Sequence, residues 1–218
     1  MKDDRQAENA RTLSAAEQRR KEEFERLCAQ MQAEGWQVTD LTVGVVYANV
    51  MAFVLAGPLC AALGLAFVLT VPEPGAALAN AFGLWGTLGL LAAYAVCVVL
   101  HELTHGFVWA LFVPGGWKNI EFGFMKEYAT PYCTCSRPMG RLQYTAGALA
   151  PTLLLGVLPG VWGILSGSGW WLVLGVFMTL AGGGDLTLLL KLWQHRPAGR
   201  QVLYMDHPWQ VGSVAFER

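Results

Sequence analysis

The sequence predicts an all-α membrane protein with four transmembrane helices, a short N-terminal amphipathic helix and a stretch patterned for a cytoplasmic β-hairpin. Three observations carry this. The 218 residues are 54% hydrophobic and only 14% charged, against roughly 25% charged in a soluble globular domain. The charges avoid four long apolar segments almost completely. All 15 lysines and arginines fall in three places that four crossings would put on one side of a bilayer. A net charge of −1 gives no electrostatic footprint for nucleic acid.

Residues 1–40 are read as a cytoplasmic helical segment. They are charged throughout and lack the apolar core of a signal peptide. Ser14 followed by Glu17 spells a capping box. Phe24, Leu27, Cys28 and Met31 then line one helical face, and Gly35 offers a stop. That face is expected to pack on the membrane domain or lie at its surface.

The membrane domain is expected over residues 41–193. Its first span runs from about Leu41 to Val71, ended by Pro72, Pro74 and Gly75. The second covers roughly Ala81 to Val113, closed by Pro114, Gly115 and Gly116. The third extends from about Tyr144 to Leu165. The fourth runs from Trp170 to Leu192, with Trp170, Trp171 and Trp193 as interfacial aromatics. Each exceeds the ~20 helical residues that cross a hydrocarbon layer.

Seven basic residues precede span one, four lie between spans two and three, and four begin at Lys191. By the positive-inside rule both termini, including a tail over residues 194–218, face the cytoplasm of what is expected to be a cell-membrane protein. The five cysteines are odd in number, and Cys28, Cys133 and Cys135 sit on that reducing side, so no disulfide is expected.

Span two contains "VVLHELTHGFVW", Val98 to Trp109. Ionisable side chains in a membrane helix are costly unless paired or bound. His101 and His105 are four apart, so their imidazoles project from one helical face and can converge on one cation. Glu102 stands beside that cation without having to ligate it, where its carboxylate can take a proton from water. This is the H-E-x-x-H arrangement of zinc peptidases.

Two histidines leave a catalytic zinc site one protein ligand short. In span four, "LAGGGDLTLLLKLW" holds Asp185, the one acidic residue in any span besides Glu102. An aspartate after glycines also suits a helix cap, and the residue types alone leave both roles open. Depth favours the ligand. His105 lies ~10 Å from the cytoplasmic end of its helix and Asp185 ~9 Å from Lys191 on a span of the same direction. His195 and His207 in the tail read as solvated or structural, Glu73 is on the wrong side, and Cys133 and Cys135 read as ordinary thiols with a metal pair as the other reading.

His101-Glu102-Leu103-Thr104-His105 in a membrane helix, with a glycine-flanked Asp185 in a later one, resembles the site-2 protease type of intramembrane metalloprotease. More narrowly the chain is similar to a family of membrane zincin peptidases, from about Gly35-Trp36 to "DHPWQVGSVAFE". The resemblance implies a zinc enzyme cleaving peptide bonds at or within the membrane, with Glu102 as base. It departs at the third ligand, where site-2 proteases carry Leu-Asp-Gly and here the glycines precede Asp185. Their asparagine has no evident match, though Pro151 lies in a comparable helix.

The expected activity is therefore peptide-bond hydrolysis of membrane-associated substrates, with Zn2+ on His101, His105 and Asp185. The alternatives are a non-catalytic metal-binding membrane scaffold or adaptor, and a small metal or proton carrier. Between spans two and three, Asn119–Met125 and Tyr128–Cys135 alternate as a hairpin would. Such a hairpin either offers an edge to an unwound substrate or simply covers the site.

Overall fold

The computed structural model describes residues 14–125 and 130–218. In chain order these form α1 (Ala15–Ala33), β1 (Gln37–Asp40), α2 (Val45–Thr70), α3 (Pro74–Ala81), α4 (Leu84–Ala110), β2 (Ile120–Met125), β3 (Thr130–Cys135) and β4 (Met139–Gly140). Then follow α5 (Arg141–Ser166), α6 (Gly169–Ala181), α7 (Gly183–Gln194), β5 (Val202–Asp206) and β6 (Ser213–Glu217). Residues 1–13, and the expected start of the second hairpin stretch at 128–129, lie outside the described residues.

The capping box forms as expected. The Glu17 N–H donates to Ser14 Oγ at 3.3 Å, and the Glu17 carboxylate accepts the Ser14 N–H at 2.8 Å. At the other end Gly35 takes φ 87°, and the Gly35 and Trp36 N–H groups donate back to Gln32 and Met31. That pairing is the Schellman motif, which satisfies carbonyls the last turn would leave open. The apolar face of Phe24, Leu27, Cys28 and Met31 packs on Met205, Val214 and Phe216. So α1 docks on a sheet rather than on membrane helices.

That sheet corrects the all-α expectation. It is antiparallel, in the order β1-β6-β5-β4, with Val38 opposite Phe216, Leu203 opposite Phe216, and Met139 opposite Tyr204. It ties together segments before the first membrane helix, between the second and third, and after the last. The chain's beginning, its middle loop and its tail therefore meet at one end of the helices. Leu41 and Val43 extend the pairing, donating to Ser213 and Val211. Their backbone is held in this way, so the first long helix starts at Val45 instead of Leu41.

Among the described residues three helices are long and apolar enough to cross a membrane: α2, α4 and α5. Only 17% of the most apolar stretch of α2 and 11% of that of α4 is buried within the protein. This apolar outer surface is that of a membrane protein, whose solvent is lipid. The expected second span is shorter than its apolar run, because Ala81 closes the separate helix α3 before α4 starts at Leu84.

The expected fourth span is broken. Helices α6 and α7 meet at Gly182 with a bend of 44°. Small residues let this pair pack closely. A Cβ on Gly175 would meet the backbone of Gly160 on α5, and one on Gly183 the backbone of Ala52 on α2. At the bend itself, a Cβ on Gly182 would collide with Thr152.

Ser14→Ala is expected to loosen α1 by about 1 kcal/mol, as losing an N-cap does. Amide hydrogen exchange should quicken in α1 and stay unchanged in α4 and α5. Unaltered exchange across Ala15–Ala33 would contradict the cap's role.

Candidate metal centre

Helices α4 and α7 bring the ligand candidates together. His101 Nε2 stands 3.0 Å from Asp185 Oδ2, and His105 Nε2 stands 3.5 Å from Asp185 Oδ1. Among the described residues this is the one group of three such side chains whose ligand atoms meet, all within 4.8 Å of one another. Two ligands each ~2.0–2.1 Å from a tetrahedral cation stand about 3.4 Å apart. The two His–Asp separations bracket that value, so these two pairs are spaced as ligands of a zinc-sized ion would be.

Asp185 is not the cap that its glycines suggested. Gly182 occupies the N-cap, Asp185 lies two residues inside α7 after Gly183 and Gly184, and no side chain caps this end. The break has a physical consequence. It puts a helix N-terminus, with its partial positive charge, at the depth of the carboxylate and so favours the anion there. An unbroken span offers no such end.

Each histidine is positioned differently. His105 Nδ1 lies 2.9 Å from the Gly147 carbonyl on α5. A carbonyl only accepts, so Nδ1 carries the proton and Nε2 is the nitrogen left for a metal. Trp109 stacks on the imidazole with centroids 5.1 Å apart and planes at 16°, and is itself anchored by Nε1–H donating to the Tyr144 carbonyl at 3.2 Å. His101 Nδ1 is buried without a partner. Its ring is held instead by Asp185 and by an edge contact with His105.

The hairpin forms the wall in front of Glu102. In β2–β3, Glu121↔Thr134 and Gly123↔Tyr132 alternate with Phe122↔Cys133 and Phe124↔Pro131. Pro131 has no N–H, so the second set is the one that does not exchange ladder hydrogen bonds. The β3 N–H groups of that set point outward. The Cys135 N–H donates to Asp206 Oδ2 at 3.1 Å, and Cys133 lines the same cavity as Glu102. One hairpin face packs Ile120, Phe122 and Cys133 toward Gly106 of α4. The other meets α1, where Arg19 and Arg20 pair with Glu121 and Arg20 lies over the Tyr132 ring.

A cavity of about 260 Å³ joins these parts, lined by His101, Glu102, His105 and Asp185 below and by β3 and the 207–212 loop above. The weaker candidates fall outside the cluster. His195 bridges Tyr204 and Glu217 within the sheet region. His207 accepts the Gln210 N–H on Nδ1, and burial holds its pKa down to about 4, so it is neutral. Burial also pushes the Cys133 and Cys135 thiols up, Cys135 to about 11, against thiolate ligation. Asp206, which sequence reasoning missed, accepts the Tyr144 O–H at 2.6 Å, and burial raises its pKa to about 6. Trp109 was legible in principle, since it continues the face of His101 and His105 at the same spacing.

Three side chains that could hold one metal ion thus converge beside the Glu102 carboxylate in a cavity. Residues 94–198 match a family model described as "Putative zincin peptidase". The matched stretch contains His101, Glu102, His105 and Asp185, and over it the chain is similar to a family of zinc peptidases. No curated protein and no solved structure matches the chain.

Asp185→Asn tests the third ligand. Asn equals Asp as a helix cap, but it is a neutral and poorer donor to a divalent cation. Zinc affinity should fall by more than the ~10–100-fold that losing a supporting hydrogen bond costs, with the protein still folded in detergent. Native affinity in this variant would remove Asp185 from the site.

Proposed function

We propose that this protein is a zinc-dependent peptidase that hydrolyses peptide bonds of membrane-associated substrates, with its site opening on the cytoplasmic side of a cell membrane. The observation that supports it most is the meeting of both imidazole Nε2 atoms at the Asp185 carboxylate, with Glu102 in the same cavity. His101, His105 and Asp185 would hold Zn2+, which when bound polarises a scissile carbonyl and makes a water easier to deprotonate.

Glu102 performs the proton work. It neighbours His101 in α4 and shares the cavity with the three candidate ligand side chains. From there it takes a proton from the attacking water and delivers it to the leaving amine. Water is needed for this, and polar Thr134, Asp206 and Gln210 line the same cavity. A substrate peptide enters along the hairpin. The Cys135 N–H is already engaged by Asp206, and Pro131 has no N–H, so β3 offers it carbonyls more readily than donors.

Four crossings agree with this reading. The sheet holds β1, β4 and β5 together, so α2, α4, α5 and the α6–α7 pair each lead away from or back to the same end. The basic residues then all lie on one side, the cytoplasmic one by the positive-inside rule.

Glu102→Gln should keep about one zinc per chain and lose turnover of a membrane-anchored peptide substrate, by at least the ~10²–10⁴-fold that one general base supplies. Undiminished cleavage would refute the role, and a metal-free wild-type protein would refute the enzyme.

Single-cysteine probes test the topology. In intact cells an impermeant thiol reagent should label a probe at Gly75 and miss one at Gly116. The reverse pattern would put the site on the outer face.

A further inference from the structure

The acceptor that orients His105 exists because of a proline. In an α-helix the carbonyl of residue i accepts the N–H of residue i+4, so the Gly147 carbonyl would normally be taken by residue 151. That residue is Pro151, inside α5, and it has no N–H. The next donor along the chain does not replace it, because the Thr152 N–H turns to the Leu149 carbonyl. Directly afterwards the helix widens into a π-turn over Thr152–Val157. The Gly147 carbonyl is therefore released from its own helix at the level where His105 Nδ1 meets it at 2.9 Å. Gly147 itself allows the approach, for a Cβ there would overlap the Trp109 ring that stacks on His105.

We propose that Pro151 is a positioning residue for the metal: by withholding a backbone donor, it frees the Gly147 carbonyl to fix the His105 tautomer that presents Nε2 to the cation. Any other residue at this position restores an N–H that competes for the same carbonyl. His105 Nδ1–H would then be buried without an acceptor, and the alternative tautomer would place a proton on the nitrogen that must ligate. The inference rests on the zinc reading of the site for its first test and is independent of it in the second.

The first test is zinc titration of the full chain in detergent, comparing wild type, Pro151→Ala, and a protein carrying lactic acid at position 151. Lactic acid is the ester analogue of alanine. It has no N–H, like proline, and no ring, like alanine. Pro151→Ala should bind zinc about 10–100-fold more weakly, the usual cost of losing such a supporting hydrogen bond, and the ester protein should match wild type. Equal losses in both would assign the effect to the ring and its kink, and no loss in Pro151→Ala would leave the proline without this role. Either result overturns the proposal.

The second test needs no substitution and no metal. Nitrogen-15 NMR of the metal-free wild-type protein should show a proton on His105 Nδ1 and a coupling across the hydrogen bond to the Gly147 carbonyl carbon. A bare Nδ1 would overturn the inference even in a protein that never binds zinc. A wild-type titration without zinc binding would instead count against the enzyme while leaving this measurement decisive.

Discussion

The contact between Asp185 and the two imidazoles of α4 is what the rest of the molecule has to accommodate. A carboxylate in the middle of an apolar span is costly unless charge or donors meet it there, and a cation held between it and the two Nε2 atoms it faces would supply that charge. For them to meet, α7 must restart at the right depth, which the bend at Gly182 achieves. The bend in turn needs a neighbour with room for it. Thr152 fills that space, on the segment where α5 has already departed from α-helical geometry behind Pro151. Irregular backbone inside a membrane is tolerated where it is buried in protein and serves a site. The bend at Gly182 lies three residues before Asp185, and the π-turn follows the segment whose Gly147 carbonyl meets His105.

Support for the site also comes from outside the bundle. The hairpin strand that walls the cavity in front of Glu102 gives its Cys135 N–H to Asp206. The far face of that hairpin is clamped by arginines of α1, and α1 is seated on β5 and β6. The wall before Glu102 therefore depends on the polar cap, while the meeting of His101, His105 and Asp185 depends on the bundle.

Much of this was legible in the residues. The histidine spacing, the Ser14–Glu17 box and the apolar runs are local patterns, and local patterns survive folding when nothing competes with them. The depth match between His105 and Asp185 also held, because helical rise is fixed whatever the packing. The sheet was not legible. Its strands are short, β4 has two residues, and β1 finds its partner at the far end of the chain. Periodicity carries no record of such pairing. The role of Pro151 was half legible: that it frees Gly147 can be read from the spacing of four, but not that His105 waits on the other side. Leu41–Gly44 misled because apolar residues next to a membrane helix also suit a strand edge.

The pairing of β1 with β6 sets an order of events. The strand that follows α1 has no partner until the last elements of the chain have been made, and β5 must lie between β4 and β6 before the sheet is complete. Pairings of such long sequence separation form late, because the loop between the partners must be closed before the contact returns any free energy. The sheet that gathers these segments at one end of the helices is therefore the slowest part of the fold to complete.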